Sequence, residues 1–255
     1  MDYYEQLLVI CPLIFLSGFI DSIAGGGGLI SLPVYHVVGF SPHFALGTNK
    51  FASCIGTFFS TIRFVRNKNY NLTSAIPSIL FALIGSAIGA KIAIYLDVVV
   101  LRYILVCGIP VIAVIVYRKK NLERRTPKRL SKVKTIVYSS IIGLVVGGYD
   151  GFFGPGTGTF LILIYTSVLG FDLLTSMGNA KLVNLSSNFA SLVVFIVEGK
   201  ILYTIGIPAA LCAIAGHYIG SGVAIKKGRT IVRPMLLFVL ILLLAKLIAD
   251  MFSAS

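Results

Sequence analysis

The chain has 255 residues, 57% of them hydrophobic and only 12% charged, with a mean hydropathy of +0.95. A soluble domain carries roughly a quarter charged residues, so that class is excluded and the composition is that of a membrane protein. The formal net charge of +13 does not call for nucleic acid, because nine of the 22 Lys and Arg fall within residues 118–134, RKKNLERRTPKRLSKVK, which read as a cytoplasmic loop.

Taken in order, the chain opens on MDYYEQ, which lacks the basic n-region of a signal peptide, so the first apolar run is expected to stay in the protein. Apolar runs follow at 6–24, 51–65, 74–96, 98–117, 135–149, 182–197, 201–225 and 231–249, several of them reaching the ~20 residues that cross hydrocarbon as a helix. Two shorter runs, 29–40 and 159–171, cross only part of a bilayer. Cys11, Cys54, Cys107 and Cys212 are isolated in apolar segments, and His36, His43 and His217 show no ligand spacing, so neither a disulfide framework nor a metal or other cofactor is expected. His217, in a Gly-rich helix, reads as a packing residue.

The second half repeats the first. At a shift of 129 residues Asp21, Gly25 and Gly27 fall on Asp150, Gly154 and Gly156; at 131, Gly47, Lys50, Phe58, Ser60, Phe64, Pro77, Gly85, Gly89 and Arg102 fall on Gly178, Lys181, Phe189, Ser191, Phe195, Pro208, Gly216, Gly220 and Arg233. The expected fold is an all-α polytopic bundle of two homologous repeats. The first, 1–117, has a hairpin over 6–40 and helices near 48–66, 72–96 and 98–117. The basic linker 118–134 follows, then a second repeat, 135–255, with a hairpin over 135–171 and helices near 178–197, 201–225 and 231–250.

Basic loop residues set the orientation. Arg63, Arg66 and Lys68, the linker, and Lys226, Lys227 and Arg229 all fall on one side only if the repeats are inverted. Both termini are then extracytoplasmic and the linker cytoplasmic, in a multi-pass protein of the cell membrane. Inversion needs an odd number of crossings per half, which holds if each hairpin enters and leaves on the same side.

The hairpin tips are the glycine runs DSIAGGGG and DGFFGPGTG. Gly25 to Gly28 together oppose helix by roughly 3 to 4 kcal/mol, and irregular backbone at membrane depth is tolerated only inside protein or along a cavity. The helices expected from Leu29 and after Gly158 would turn their N–H ends toward the membrane interior, where two such ends make an anion site. Gly85, Gly89, Gly216 and Gly220 read instead as close-packing positions.

After each hairpin comes a helix with a polar face: Lys50, Ser53, Thr57 and Ser60, matched by Lys181, Asn184, Asn188 and Ser191. Such a face should turn to the bundle interior. Two readings stay open for the lysines, snorkelling at helix starts or attraction of an anion. Asp21 and Asp150 also have two: a carboxylate at this depth needs a partner or a proton, and each either caps its glycine turn or carries a proton coupled to anion movement.

GFIDSIAGGGGLISLP with SPHFALGTNK, and GGYDGFFGPGTGTF with MGNAKLVNLSSN, resemble the duplicated signature of the TauE/SafE sulfite exporter family, also called the 4-toluene sulfonate uptake permease family. The resemblance covers nearly the whole chain, including KKGRTIVRPM before the last helix. It implies transport of sulfite, sulfoacetate or a related organosulfur anion. It also implies that Gly25, Gly26, Gly27, Gly28, Thr48, Asn49 and Lys50, with Gly154, Gly156, Asn179 and Lys181, line or support the substrate path; Thr157 and Gly158 complete the second tip.

The expected function is a secondary transporter of a small anion, working by rocking of the two halves in the bilayer, with protons as the candidate coupling ion. An anion channel is the alternative. An intramembrane carboxylate enzyme is disfavoured, because the GxGD segment of intramembrane aspartyl proteases is missing and duplication already explains one Asp per hairpin.

Overall fold

The computed structural model describes residues 2–97 and 130–228, and seven positions between 230 and 239. The helix expected at 98–117, most of the linker 118–134 and most of the last helix, 231–250, lie outside the described residues. Among the described residues every regular element is an α-helix: α1 (Tyr3–Ala24), α2 (Gly28–Val37), α3 (Pro42–Arg66), α4 (Leu72–Tyr95), α5 (Lys132–Phe152), α6 (Thr157–Val168), α7 (Leu173–Val197) and α8 (Tyr203–Lys227).

Local chemistry sets the ends. A capping box opens α1: the Glu5 amide donates to Asp2 Oδ1 (2.9 Å) and the Asp2 amide to Glu5 Oε2 (3.0 Å). α1 stops at Gly25, whose φ of +78° only glycine adopts at little cost. α3 and α7 start earlier than the expected 48 and 178. Pro42 stands in the first turn of α3, and Asp172 caps α7 by accepting from the Leu174 (3.0 Å) and Thr175 (3.1 Å) amides. α2 and α6 begin at Gly28 and Thr157, inside the glycine runs rather than after them, since a left-handed residue at Gly25 or Gly156 is enough to turn the chain.

Helices α1, α4, α5, α7 and α8 are long and apolar enough to cross a membrane. α3 is as long, 25 residues, but carries Asn49, Lys50, Arg63 and Arg66. On α4, Ile76, Leu80, Ile84, Ile88 and Ile92 recur every fourth residue and are all exposed, a stripe that fits lipid. The chain is a multi-pass membrane protein.

Packing exchanges the two halves. α4 lies along α5 rather than staying with its own repeat: a Cβ on Gly85 would sit 2.2 Å from the Leu144 carbonyl oxygen and one on Gly89 2.1 Å from that of Gly148. The repeat-related seam is α8 on α1, where Gly216 would meet the Phe15 oxygen at 2.2 Å and Gly220 that of Phe19 at 2.5 Å. These four glycines are close-packing positions, as their spacing suggests. Residue pairs along both seams rise together, 74 with 139 and 89 with 148, 15 with 216 and 19 with 220, so each seam is parallel. α3 also runs parallel to α8, with Gly56 against Ala213 and Arg63 against Gly222. By contrast α3 and α7 cross antiparallel, Lys50 meeting Asn188 and Thr61 meeting Lys181.

Two three-helix units of opposite direction result: α1, α3 and α8 in one, α5, α7 and α4 in the other. Each takes its third long helix from the other half of the sequence. α1 packs on Gly220 through Phe19 and Ser22, and α5 on Gly89 through Gly148 and Phe152, so each tip stops a few residues short of the end of the helix beside it.

Candidate functional site

The tips meet inside the bundle. Thr159 Oγ1 donates to the Ala24 carbonyl (2.6 Å), the Thr159 amide to the Gly25 carbonyl (3.2 Å), and a Cβ on Gly25 would lie 2.3 Å from the Gly158 carbonyl carbon. Gly25 and Gly158 are therefore a backbone-to-backbone contact between the hairpins. Gly26 packs on Val239, and Gly156, with φ +80°, starts α6.

Beside the tips, at the interface of the two units, is a small polar cavity of about 30 Å³. α1 contributes Ser17 and Asp21, the tips Gly27, Gly28 and Gly154, α3 Asn49, Lys50, Ser53 and Thr57, α5 Asp150, α7 Asn184 and Asn188, and α8 His217.

Each carboxylate is held by the lysine of the other half. Lys50 Nζ lies 3.0 Å from Asp150 Oδ2, and Lys181 Nζ 2.8 Å from Asp21 Oδ2, with both lysines buried. The snorkelling reading of Lys50 and Lys181 is thereby corrected, since their ammonium groups point inward to partners that hydrocarbon could not supply. Lys50 also donates to Asn188 Oδ1 (3.0 Å), and Asn188 Nδ2 donates to Asn184 Oδ1. Asp150 accepts a further hydrogen bond from Ser187 (2.5 Å), a residue outside the expected polar face. Asp21 does cap its glycine turn: Oδ1 accepts from the Gly27 amide (3.2 Å), while Lys181 also donates to the Asp21 carbonyl (2.6 Å).

The two tips contribute unequally to the cavity. Gly27 and Gly28 at the start of α2 reach the cavity, but from the second tip only Gly154 does. Thr157 Oγ1 instead folds back onto the Gly154 carbonyl (2.7 Å), and Gly156, Thr157 and Gly158 stay out of the wall. Thr48 and Asn179 also stand outside it. Thr48 Oγ1 accepts from the Leu202 amide (3.1 Å) just before α8, and Asn179 Oδ1 from the Asn71 amide (3.0 Å) just before α4, so this repeat-related pair braces the exchanged helices. Lys181 is turned to Asp21 and does not line the cavity.

Two lining residues escaped the sequence reading. Ser17, on α1, donates to the Gly27 carbonyl (2.8 Å). His217 stands in the wall with Nε2 4.0 Å from Asp21 Oδ2 and Nδ1 without a partner among the described residues, while its ring packs against Gly18 and Gly56 as a packing residue would. No repeat could reveal it, because position 86, its counterpart, is a serine that donates to the Ser187 carbonyl.

Known proteins bear on this geometry. Residues 10–247 match the family model described as sulfite exporter TauE/SafE. The chain belongs to the TauE/SafE family of membrane transporters. This TauE/SafE protein is 36% identical to the probable membrane transporter protein YfcA of Escherichia coli (strain K12), over 98% of this chain and 95% of that one. A probable membrane transporter protein of Haemophilus influenzae is 32% identical over 98% of both chains, and the probable membrane transporter protein ORF9 of Sinorhizobium sp is 35% identical over 92% of this chain and 90% of its own. No solved structure matches significantly.

Proposed function

We propose that this TauE/SafE protein is a secondary carrier of a small anion, a sulfite or an organosulfonate such as sulfoacetate, that moves with a proton by alternating access. The family supports the sulfur chemistry, and the cavity supports an anion with a proton. Its carrying observation is that Asp21, Asp150, Lys50 and Lys181 are paired with one another, so that the empty site is electroneutral. An anion entering alone would leave each of its charges, one for bisulfite and two for sulfoacetate, uncompensated in a buried site; at an effective dielectric of 20, unit charges 4 Å apart interact by about 4 kcal/mol. Each proton entering with the anion removes one of those charges.

Within the site, Lys50 supplies the charge for the anion, with Asn49, Asn184 and Asn188 as amide donors and Thr57 as a buried hydroxyl with no partner. Asp21 and Asp150 are the candidate proton carriers.

The moving bodies are the two three-helix units, not the two halves of the sequence, since α4 and α8 are exchanged. The opposite directions of those units support inverted repeats. Because α3 and α8 are parallel, Arg63 and Arg66 end on the same side as Lys226 and Lys227, which supports a cytoplasmic side there, with both termini outside the cell membrane and the linker 118–134 in the cytoplasm.

The test is uptake into proteoliposomes of sulfite, sulfoacetate, sulfate and acetate, with and without an imposed pH gradient. Saturable accumulation of one sulfur anion against its gradient is the expected result. Ohmic anion conductance without accumulation would make the protein a channel instead, and uptake of none by folded protein would overturn the reading.

A further inference from the structure

The duplicated site is not symmetric. Around Asp150 the repeat provides Lys50, Asn188 and Ser86, with a serine where the other half has an imidazole; around Asp21 it provides Lys181, Thr57 and His217. His217 is 3% exposed, so it belongs to the interior, yet among the described residues its Nδ1 has no partner and its Nε2 stands 4.0 Å from Asp21 Oδ2, beyond a hydrogen bond. Buried polar groups are as a rule paired, and an imidazole left this way in a cavity wall is suited to receive something. Thr57 Oγ1, in the same wall, also lacks a partner.

We propose that the two half-sites are specialised, the coupling proton being taken up at the His217–Asp21 pair and the substrate anion binding across the same cavity at Lys50, Asn184 and Asn188. This rests on the proton-coupled carrier reading above.

The geometry makes the two events cooperative. The charged groups around His217 among the described residues are Asp21 on α1 and Lys181 on α7, with Lys50 on α3 and its partner Asp150 on α5 in the same cavity wall. Gly18 and Gly56 close around the ring, a Cβ on either lying 2.9 Å or 2.5 Å from Cδ2, so the imidazole is confined and its nitrogens are left to the cavity and to Asp21. A proton added to His217 gives Asp21 a second cation beside Lys181 and introduces one positive charge into a neutral cavity. That charge is what an incoming anion requires, and the anion in turn stabilises the imidazolium. Thr57 can donate its unpartnered hydroxyl to the anion from the His217 side. Asp150, hydrogen-bonded by Ser187 and ion-paired to Lys50, is displaced from Lys50 by the substrate.

The experiment compares wild type, His217→Gln and Asp21→Asn in proteoliposomes, measuring pH-gradient-driven uptake and anion-for-anion exchange of sulfate and sulfoacetate, which, unlike sulfite, do not titrate near neutral pH. The ratio of driven uptake to exchange should fall at least tenfold in both variants. Wild-type transport of neither anion would sink the carrier reading itself, and wild-type transport indifferent to the gradient would sink the coupling. An intact wild-type response that survives in His217→Gln overturns only the present assignment. A second measurement needs no substitution at the site. In ¹⁵N-histidine-labelled protein with His36→Gln and His43→Gln, the chain's three histidines are reduced to His217. Its NMR signals should shift from imidazole to imidazolium when sulfoacetate binds; unchanged signals under saturating sulfoacetate would overturn the proposal.

Discussion

The Lys50–Asp150 pair offers a sharp test of how the bundle is held together. Lys50→Met removes the ammonium 3.0 Å from a carboxylate whose side chain is 3% exposed, leaving that carboxylate with the Ser187 hydroxyl alone. Breaking a buried pair by removing one partner costs about 3–5 kcal/mol, whereas replacing both partners by neutral groups of similar volume is often neutral. Lys50→Met alone should therefore lower the melting temperature in detergent by about 10 °C, taking about 2–4 °C per kcal/mol for a chain of this length. Lys50→Met with Asp150→Asn should recover most of that loss. The assay is the fraction of monodisperse protein after heating, read by gel filtration on all three variants and wild type. A single variant as stable as wild type, or a double variant no better than the single, would refute the argument that these charges are buried against each other.

Thr48→Val should lower stability by about 1 kcal/mol, the worth of an ordinary hydrogen bond, with the KM for the transported anion unchanged, because Thr48 braces the Leu202 amide and does not line the cavity. A raised KM would return it to the substrate path. Ser74→Cys with Ser139→Cys places two thiols where the hydroxyls now lie 2.7 Å apart on the parallel α4–α5 seam. Oxidative cross-linking there should leave transport intact, since both helices belong to one unit; arrest would mean that the sequence halves part from each other. In a cysteine-free background, single cysteines at Asp97 and Lys227 should label from opposite sides of the membrane, and same-side labelling would overturn the inverted arrangement.

Much of this was legible in the sequence because the repeat is carried by residues whose roles are backbone-bound. Glycines that let helices touch and prolines that open or bend them keep their order, so Gly85 and Gly216 could be equated and their role as contacts stated. Lys50, Asn184, Asn188, Asp21 and Asp150 came from polarity at membrane depth, and they do converge. What could not be read was the exchange of α4 and α8, because a repeat fixes which residues are equivalent and not which copy they pack on. The same gap hid the pairing of each aspartate with the other half's lysine. Thr48 and Asn179 were misplaced for a related reason: polarity beside a lysine looks like a site, but the amides they serve come from the other half. A Cβ on Gly27 would lie 2.7 Å from Asp21 Cβ and 2.9 Å from the Ser17 carbonyl oxygen, so Gly27→Leu would wedge α2 off α1.

Both ion pairs cross the interface between the two three-helix units, Asp21 on α1 to Lys181 on α7 and Lys50 on α3 to Asp150 on α5. Two buried ion pairs therefore hold the units together. Pulling the units apart would leave four charges without partners, each worth several kcal/mol of lost solvation. On the proposed carrier reading, a proton at His217 would compete with Lys181 for Asp21 and an anion would compete with Asp150 for Lys50, so each ligand would loosen one ion pair and neither both. Motion would then require the two together, which is the condition for coupling. A channel would have no need of it, and the proteoliposome measurement of accumulation against conductance decides between the two.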